Sequence, residues 1–445
     1  MPLPTRVLFV LVIEELRSRA GVVAGEEKPS SVAFGTLNLI KSIVGAGVLA
    51  LPAGVAAFAS ARLALVVASA IVVLLGWASA YSFAILGRIC GAYEADSYRE
   101  AWSKTMSERT AWIVTACCTI TPLFACLAYA IIIGDSFAAI SAASSKSPPP
   151  ALASLVALLG GTRRFFISVF SVGVLWPLCS LRSLAALAPT SALGTAGVLY
   201  TAGFMGLRAI DGSYFPGGRF CAADAVAPCA AQSVGDLFNP RLGVFVAMLG
   251  TAYMAHFNAP SFFKSAGRDL DKFRKVVALG FGFSVLFNLA VMASGFWTFG
   301  PSSLGLILNN YATTDLLASV ARLLFGVSIV FTYPLAFAGA KDGLRQLDAK
   351  LFGGGKGGKP NEARVVAAPL ALLTALALVL NDVGLVVSLT GALMGSAVIY
   401  ILPALMLLNS DPDKLSRSRF ERKVAPMTMI ILGAVSGVLG VVKSF

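Results

Sequence analysis

The sequence predicts an all-α integral membrane protein with about eleven transmembrane helices. Hydrophobic residues make up 57% of the 445 residues and charged residues only 13%, with a mean hydropathy of +0.81. Long apolar runs, separated by charged or Pro- and Gly-rich breaks, recur along the chain, and a helix needs roughly 20 such residues to cross a bilayer. This composition excludes a soluble protein of two or three domains.

Eleven apolar runs are predicted to cross the bilayer. They cover residues 32–58, 63–87, 110–141, 165–181, 183–207, 242–263, 276–299, 314–340, 365–381, 384–408 and 425–442. The fourth run is short, and residues 151–160 before it have the composition of an interfacial or re-entrant piece. A count that differs by one therefore stays open.

Basic residues set the orientation of these helices, because cytosolic loops of membrane proteins are enriched in Lys and Arg. With the N-terminus in the cytosol, the cytosolic loops hold about three times as many cations as the opposite loops. This predicts a cytosolic N-terminal tail, residues 1–31, and an extracytoplasmic C-terminus. The formal net charge of +13 is then a consequence of topology, and no nucleic-acid partner is expected.

The first ten helices divide into two predicted sets of five. Helices 1 to 5 form a first repeat over residues 32–210, and helices 6 to 10 form a second repeat over residues 241–410. An extracytoplasmic loop, residues 211–240, joins them, and residues 411–445 hold the final helix and the C-terminus. We expect a monomer in the plasma membrane or in a vacuolar or lysosomal membrane.

The first apolar run contains a break near its middle. Gly45 and Gly47 flank one small residue, Ala46, so the helix can unwind there and leave amide groups unpaired, while the following half-helix presents its positive end. Such a break suits the binding of a carboxylate. The alternative is that the small residues only let neighbouring helices pack closely.

The sixth apolar run, which opens the second half of the chain, is interrupted as well. Polar residues and a proline cluster between Thr251 and Pro260. Breaks in the first helix of each half are typical of transporters built from inverted repeats, whose substrate lies at the midplane between the two unwound segments. The paired breaks therefore favour transport.

The stretch from Gly35 to Pro52 resembles the first-helix signature of the amino acid/auxin permease family, which includes the sodium-coupled neutral and proton-coupled amino acid transporters. The resemblance extends along most of the chain. It includes Tyr129 with Gly134-Asp135, Pro177 to Leu184, His256 to Pro260 with Lys272-Phe273, Phe331 to Pro334, Asp382 to Gly384, Ser388 to Ala392, and Pro403. It implies the fold of the bacterial leucine transporter, with discontinuous helices 1 and 6 and alternating access.

The resemblance also implies a substrate site between the two breaks. Amide groups of the first break would hold the carboxylate of an amino acid, carbonyl groups of the second break would face its ammonium, and three further side chains would form walls. The candidate substrate-binding residues are Gly45, Ala46, Gly47, Tyr253, Met254, Ala255, Asn258, Tyr129 and Phe124. Packing in the core is the alternative role for the aromatic wall residues.

Lys41 departs from the family pattern. Sodium-coupled members carry an Asn at this place, where it helps hold Na⁺ together with hydroxyl groups of the eighth helix. A fixed ammonium would occupy the space of the ion and repel it, which predicts transport that needs no sodium and is coupled to protons or runs as exchange or facilitated flux. The alternative is that Lys41 extends to the cytosolic interface. The candidate coupling-ion or proton residues are Asn38, Lys41, His256, Ser328, Thr332 and Asp135.

Other ionisable residues within the spans carry open alternatives. His256, the only histidine, lies beside the second break and is predicted to shape the pocket or sense protons, with a buried, satisfied histidine as the alternative. Asp135 is a candidate gate or proton carrier, unless it caps its helix or pairs with an arginine. No role for Arg322 follows from the sequence.

The seven cysteines predict at most one disulfide. Cys221 and Cys229 share the extracytoplasmic loop, where a disulfide between them is expected and free thiols are the alternative. The other five lie in or near spans and are interpreted as small buried residues. With one histidine and no CxxC or HExxH motif, we expect neither a metal cofactor nor an enzyme.

The leading interpretation is a secondary active transporter of amino acids, with neutral substrates favoured. Two alternatives stay open: a non-transporting amino acid sensor, and a carrier of another small carboxylate such as an auxin-like acid. The short tails predicted at both ends offer little docking surface, which argues against the sensor.

Overall fold

The computed structural model describes residues 31–143, 156–159, 161–181, 190–221, 239–352, 360–415, 418 and 420–444. Within these residues every regular element is helical and no strand occurs. The α-helices are α1 (Val32–Ile43), α2 (Leu51–Phe58), α3 (Ala64–Ala92), α4 (Tyr98–Thr105), α5 (Ala111–Ala143), α6 (Thr162–Phe170), α7 (Trp176–Cys179), α8 (Thr190–Ile210), α9 (Leu242–Ala252), α10 (Ala259–Ser265), α11 (Leu270–Phe299), α12 (Leu316–Phe352), α13 (Glu362–Val379), α14 (Val383–Thr390), α15 (Leu402–Asn409) and α16 (Ala425–Ser444).

Shorter helical segments connect or extend these helices. The 3-10 segments are Ala46–Ala50, Glu108–Thr110, His256–Asn258, Gly300–Ser302 and Ile307–Asn310. The π-helical segments are Ser171–Leu175, Gly391–Ile401 and Phe420–Val424. The long π-helix joins α14 to α15, so these three elements form one continuous helix through the tenth predicted span.

The helices follow the predicted spans. In the described part of the chain, eight helical stretches are long and apolar enough to cross a membrane, and the bent pair formed by residues 32–43 and 46–58 makes a ninth. The fourth and fifth predicted runs coincide with α6 to α7 and with α8, which do not reach that criterion within the described residues. The total of eleven crossings stays a prediction.

Side-chain caps define where several helices begin. The hydroxyl of Ser31 accepts a hydrogen bond from the amide of Phe34 at the start of α1. Asp269, Asn361 and Asp382 accept backbone amides in the same way at the starts of α11, α13 and α14. Such caps satisfy amides that have no acceptor within the helix and each contribute about 1 kcal/mol.

The helices pack in two groups that share a central space. In the first group α1 and α3 pack on α11 and α2 packs on α9, while in the second α5 lies along α12 and contacts α6 and α13. The helix α8 contacts both α11 and α12, and the long π-helix packs on α9 and α16. The candidate site lies where the chain segments that follow α1 and α9 meet α5 and α12.

Candidate functional site

The first predicted break is present at the end of α1. The backbone leaves the helical conformation at Val44 (φ −80°, ψ 95°) and is extended at Gly45 (φ −131°, ψ −152°) before the segment Ala46–Ala50 begins. The two halves are bent by 47°. Because the first amides of a helical segment have no acceptor in their own helix, the chain presents N–H groups from Gly45 onward.

Gly45 and Gly47 are needed for close approach as well as for the break. A Cβ at Gly45 would lie 3.2 Å from the hydroxyl oxygen of Tyr129 on α5. A Cβ at Gly47 would lie 3.1 Å from the backbone nitrogen of Ala252 on α9. The two glycines thus bring the first break against α5 on one side and against the second break on the other.

The second break follows α9. The helix ends at Ala252, Ala255 adopts φ −134° and ψ 0°, and regular structure resumes at His256 as a short 3-10 turn that leads into α10. The carbonyls of Leu249, Thr251 and Ala255 accept the amides of Tyr253, Met254 and Asn258, and the other carbonyls at this end are not capped by the helix itself. The C-terminal end of α9, where the helix dipole is negative, lies beside the first break, since a Cβ on Gly47 would stand 3.2 Å from the side chain of Thr251.

A direct hydrogen bond joins the two broken helices. The side-chain Nδ2 of Asn258 donates a hydrogen bond to the hydroxyl of Ser42 over 3.2 Å. Both residues lie on the wall of one cavity of about 290 Å³ between α1, α5, α9, α12 and α14. The breaks thus share one cavity, as the sequence predicts.

The cavity brings together most of the predicted site. The predicted residues on its wall are Asn38, Lys41, Gly45, Ala46, Gly47, Phe124, Tyr129, Met254, Asn258 and Thr332. Among all lining residues of the described chain, Lys41 is the only charged one and no Asp or Glu occurs. The cavity offers hydroxyl and amide groups, an apolar wall and one cation.

Several wall residues are not predictable from the sequence. Thr121, Phe257, Leu335, Val387 and Thr390 line the cavity although nothing singles them out individually. Phe257 and Thr390 lie within two of the motifs that carry the family resemblance, and this is what the sequence offers to identify them as site residues. The hydroxyls of Thr121 and Thr390 donate to carbonyls of their own helices, so they present acceptor oxygens to the cavity.

Lys41 lies between this cavity and a second, smaller one. The smaller cavity has a volume of about 40 Å³ and is lined by Lys41, Ser328 and Thr332 together with apolar residues of α8, α11 and α12. The Cε of Lys41 lies 4.0 Å from where a Cβ on Gly194 would stand, and the Ser328 hydroxyl lies beside the same point. The ammonium of Lys41 has no hydrogen bond or ion pair with the described residues.

Three predicted residues of the second break, Tyr253, Ala255 and His256, do not line the cavity. The hydroxyl of Tyr253 donates to the carbonyl of Val72 over 2.9 Å, and the Nε2 of His256 donates to the carbonyl of Ser79 over 3.0 Å. Both acceptors belong to α3, and Ala255 is fully buried. The His256 ring packs against Phe83 and Phe281. The His256 side chain is therefore off the cavity wall and holds the break against α3, and its predicted proton-sensing role stays a prediction.

Asp135 takes part in an ion pair on the predicted extracytoplasmic side. Its Oδ1 lies 2.6 Å from the Nε of Arg163, and its Oδ2 accepts from Asn309 over 3.1 Å. Arg163 also donates to the carbonyl of Leu380 and to the side chain of Asn381. Pairing with an arginine, one of the two alternatives left open, is what the structure has, and Asp135 does not line the cavity.

Arg322 holds the connection between α11 and α12. Its Nη2 donates to the carbonyls of Leu308 and Tyr311 over 2.8 and 2.5 Å. Only 1% of Arg322 is exposed. These carbonyls belong to the turn Ile307–Asn310 and to the residue that follows it, so Arg322 bonds backbone oxygens of the loop before its own helix. The sequence offered no role for this residue, and the structure gives it a structural one.

Six of the seven cysteines lie within the described residues. Cys221 is disulfide-bonded, whereas Cys229, its predicted partner, lies outside the described residues. Cys90, Cys117, Cys118, Cys126 and Cys179 are free and buried or partly buried. In the described part of the chain no group of three or more His, Cys, Asp or Glu side chains is arranged to hold a metal ion.

Comparison with known proteins covers nearly the whole chain. A family model described as transmembrane amino acid transporter protein matches residues 28–445. The sodium-coupled neutral amino acid transporter 11 of Danio rerio is 25% identical over 423 residues, which is 94% of this chain and 87% of that protein. The amino acid transporter AVT6E of Arabidopsis thaliana is 24% identical over 433 residues, 93% of this chain and 83% of that protein.

A solved structure shows the fold. The crystal structure of MhsT in complex with L-phenylalanine superposes with a TM-score of 0.56 at 12% identity and covers 95% of this chain and 100% of that chain. At this identity the likeness concerns the fold alone. It confirms the predicted fold class of the bacterial leucine transporter type.

Proposed function

The chain belongs to the transmembrane amino acid transporter family, and from this premise we propose that it is a secondary active transporter that moves neutral amino acids by alternating access. One observation carries the proposal: both helix breaks open onto one cavity. Amides from Gly45 onward suit a carboxylate, and carbonyl groups at the end of α9 suit an ammonium. A zwitterion between them would have both charges matched without a charged side chain.

A wall with one cation and no acidic residue supports neutral substrates. A lysine or arginine substrate would bring a second cation into a cavity where Lys41 is the only charged lining residue among those that the structure describes. Two like charges about 4 Å apart repel by about 4 kcal/mol at an effective dielectric constant of about 20. Apolar residues such as Phe124, Met254 and Leu335 offer contacts for an uncharged side chain instead.

The two ends of the cavity support alternating access. On the predicted cytosolic side the lining includes the exposed residues Asn38 and Gly339. On the predicted opposite side, Asp135, Arg163 and Asn309 join α5, α6 and the loop before α12. We therefore assign this conformation to the state that is open to the cytosol.

Transport without sodium is the second part of the proposal. Lys41 faces the same space as Ser328 and Thr332, whose hydroxyl oxygens would otherwise suit a sodium ion. An ammonium at this place presents donors to such oxygens and repels Na⁺. The relatives named sodium-coupled carry that description for themselves, and we expect this chain to differ through Lys41.

Uptake into liposomes tests both parts. Purified protein is reconstituted, labelled amino acids are screened, and Na⁺ and pH gradients are imposed separately with choline as the replacement cation. We expect uptake of neutral amino acids of equal rate in Na⁺ and choline. Activity that disappears in choline contradicts the sodium-independent mechanism, and specific binding without any uptake or exchange identifies a sensor. Equal competition by the desamino analogue of the best substrate identifies a carboxylate carrier.

A further inference from the structure

The smaller cavity beside Lys41 is open toward the side of the helix bundle. Two of its lining residues are exposed on the lipid-facing surface: Leu199 on α8 is 46% exposed and Phe283 on α11 is 37% exposed. The deeper walls are the buried apolar residues Ile40, Phe287 and Phe325. The cavity is therefore an apolar crevice between α8 and α11 that leads inward from the acyl-chain region of the bilayer.

A single cation lines this crevice in the described part of the chain. Lys41 lines it, and no described residue pairs with its ammonium. Every other described lining residue is uncharged, and the further polar side chains among them are those of Tyr129, Ser328 and Thr332. A cation at membrane depth is stabilised when an anion or water accompanies it. The crevice offers an anion from the bilayer a direct route to this charge.

We propose that the crevice between α8 and α11 binds the carboxylate of a long-chain fatty acid, with Lys41 as its counter-ion. The charge-assisted hydrogen bond from the ammonium orients the carboxylate, and the acyl chain passes between Leu199 and Phe283 into the bilayer. A volume of about 40 Å³ has room for a carboxylate, and the chain would extend out of the cavity. A phosphoglycerol headgroup with two chains is too large for it.

The position of the bound acid defines its effect. Its carboxylate would contact α1 through Lys41, while its chain would lie against α8 and α11, so it would connect the half-helix before the first break to its two neighbours. If the chain transports as proposed above, helices around the central cavity move against one another in each cycle, and a fatty acid that ties α1 to α8 and α11 slows turnover. Binding itself does not depend on that function.

Photolabelling of the reconstituted full chain tests the site. A palmitate analogue with a diazirine near its carboxyl end is incorporated in phosphatidylcholine liposomes, and labelled peptides are mapped by mass spectrometry. We expect labels on peptides of α8 and α11 that excess oleate displaces. Lys41→Met and Leu199→Trp should each weaken the labelling about tenfold, as expected for loss of a charge-assisted contact or of access.

Matched variants exclude general effects of charge and bulk. Leu286 lies on α11, is 68% exposed and does not line the crevice, so Leu286→Trp should leave the labelling unchanged. Lys264→Met removes an exposed cation from α10 and should have no effect either. If Lys41→Met does not fold, Leu199→Trp and an oleate-induced rise in the melting temperature of the wild type still test the proposal.

Three results would overturn the proposal. The first is labelling that Lys41→Met leaves intact, and the second is labelling that Leu286→Trp reduces as much as Leu199→Trp does. The third is native mass spectrometry that finds a phospholipid at this site and no fatty acid. Labelling as expected in a protein that shows no uptake would refute the transport function and leave the site standing.

Discussion

The carboxylate of Asp135 lies 2.6 Å from the guanidinium of Arg163, with 9% and 21% of the two side chains exposed. This pair joins α5 to α6, and through Asn309 it reaches the loop before α12. Removing one member of such a buried pair leaves the other without a partner, which costs more than the pair itself contributes.

We therefore expect Arg163→Gln to lower the free energy of unfolding by about 3 kcal/mol. Adding Asp135→Asn should restore part of this loss, because the double variant no longer buries an unpaired carboxylate. Thermal unfolding of the detergent-solubilised protein measures both. Additive destabilisation in the double variant would show that the two side chains do not act as a pair.

Gly45→Ala tests the contact between the first break and α5. The added Cβ would lie 3.2 Å from the hydroxyl oxygen of Tyr129, so either the hydroxyl or the break must shift. We expect amino acid uptake to fall about tenfold, equivalent to about 1.4 kcal/mol of lost transition-state stabilisation. Adding Tyr129→Phe removes the oxygen and should recover part of the uptake.

Gly203→Ala on α8 is the control for this substitution, because a Cβ there meets nothing within 4 Å. It should leave uptake unchanged. Failure of Tyr129→Phe to rescue Gly45→Ala would mean that the methyl group acts on the backbone or on the substrate directly.

His256 distinguishes a structural role from proton sensing. The Nε2 of His256 bonds the carbonyl of Ser79, and the Nδ1 has no partner among the described residues. A glutamine can place its amide nitrogen near the position of Nε2. We expect His256→Gln to retain most uptake with the same pH profile, and His256→Leu to lower uptake because the break is no longer attached to α3. A pH profile that His256→Gln flattens would restore proton sensing as its role.

Lys41→Asn tests the origin of sodium independence. An amide in place of the ammonium removes the repulsion of Na⁺ and leaves neutral oxygens around the space beside Ser328 and Thr332. We expect uptake by the variant to be stimulated by Na⁺ relative to choline, while uptake by the wild type is not. Lys264 is an exposed lysine on α10, and Lys264→Asn serves as the control for the loss of one positive charge. If Na⁺ stimulates uptake by neither the wild type nor Lys41→Asn, Lys41 is not the cause of the sodium independence.

The positions of the helix breaks were predictable because their signals are local. Gly45 and Gly47 weaken a helix wherever they occur, and Pro260 limits where the second helix can resume. The apolar runs are predictable for the same reason, since hydrophobic length is a property of each segment alone. Most of the predicted site residues next to the breaks accordingly line one cavity.

The cavity wall far from the breaks was not predictable in this way. Thr121, Leu335 and Val387 line it only because α5, α12 and α14 pack around the broken helices, and one sequence contains no record of that packing. His256 is the only histidine in the sequence and lies beside a break, which favours a functional role, yet its ring packs against Phe83 and Phe281. The scarcity of a residue type in a sequence does not determine its role, which depends on its contacts in the fold.

The buried Arg322 has a consequence for biogenesis. Its acceptors, the carbonyls of Leu308, Tyr311 and Ala312, precede it by 14, 11 and 10 residues. An arginine within a membrane-spanning helix opposes insertion by up to about 3 kcal/mol when it has no acceptors. Here the segment that leaves the ribosome just before α12 supplies them. The hairpin from α11 to α12 can therefore enter the bilayer as one unit, before any later helix has been synthesised.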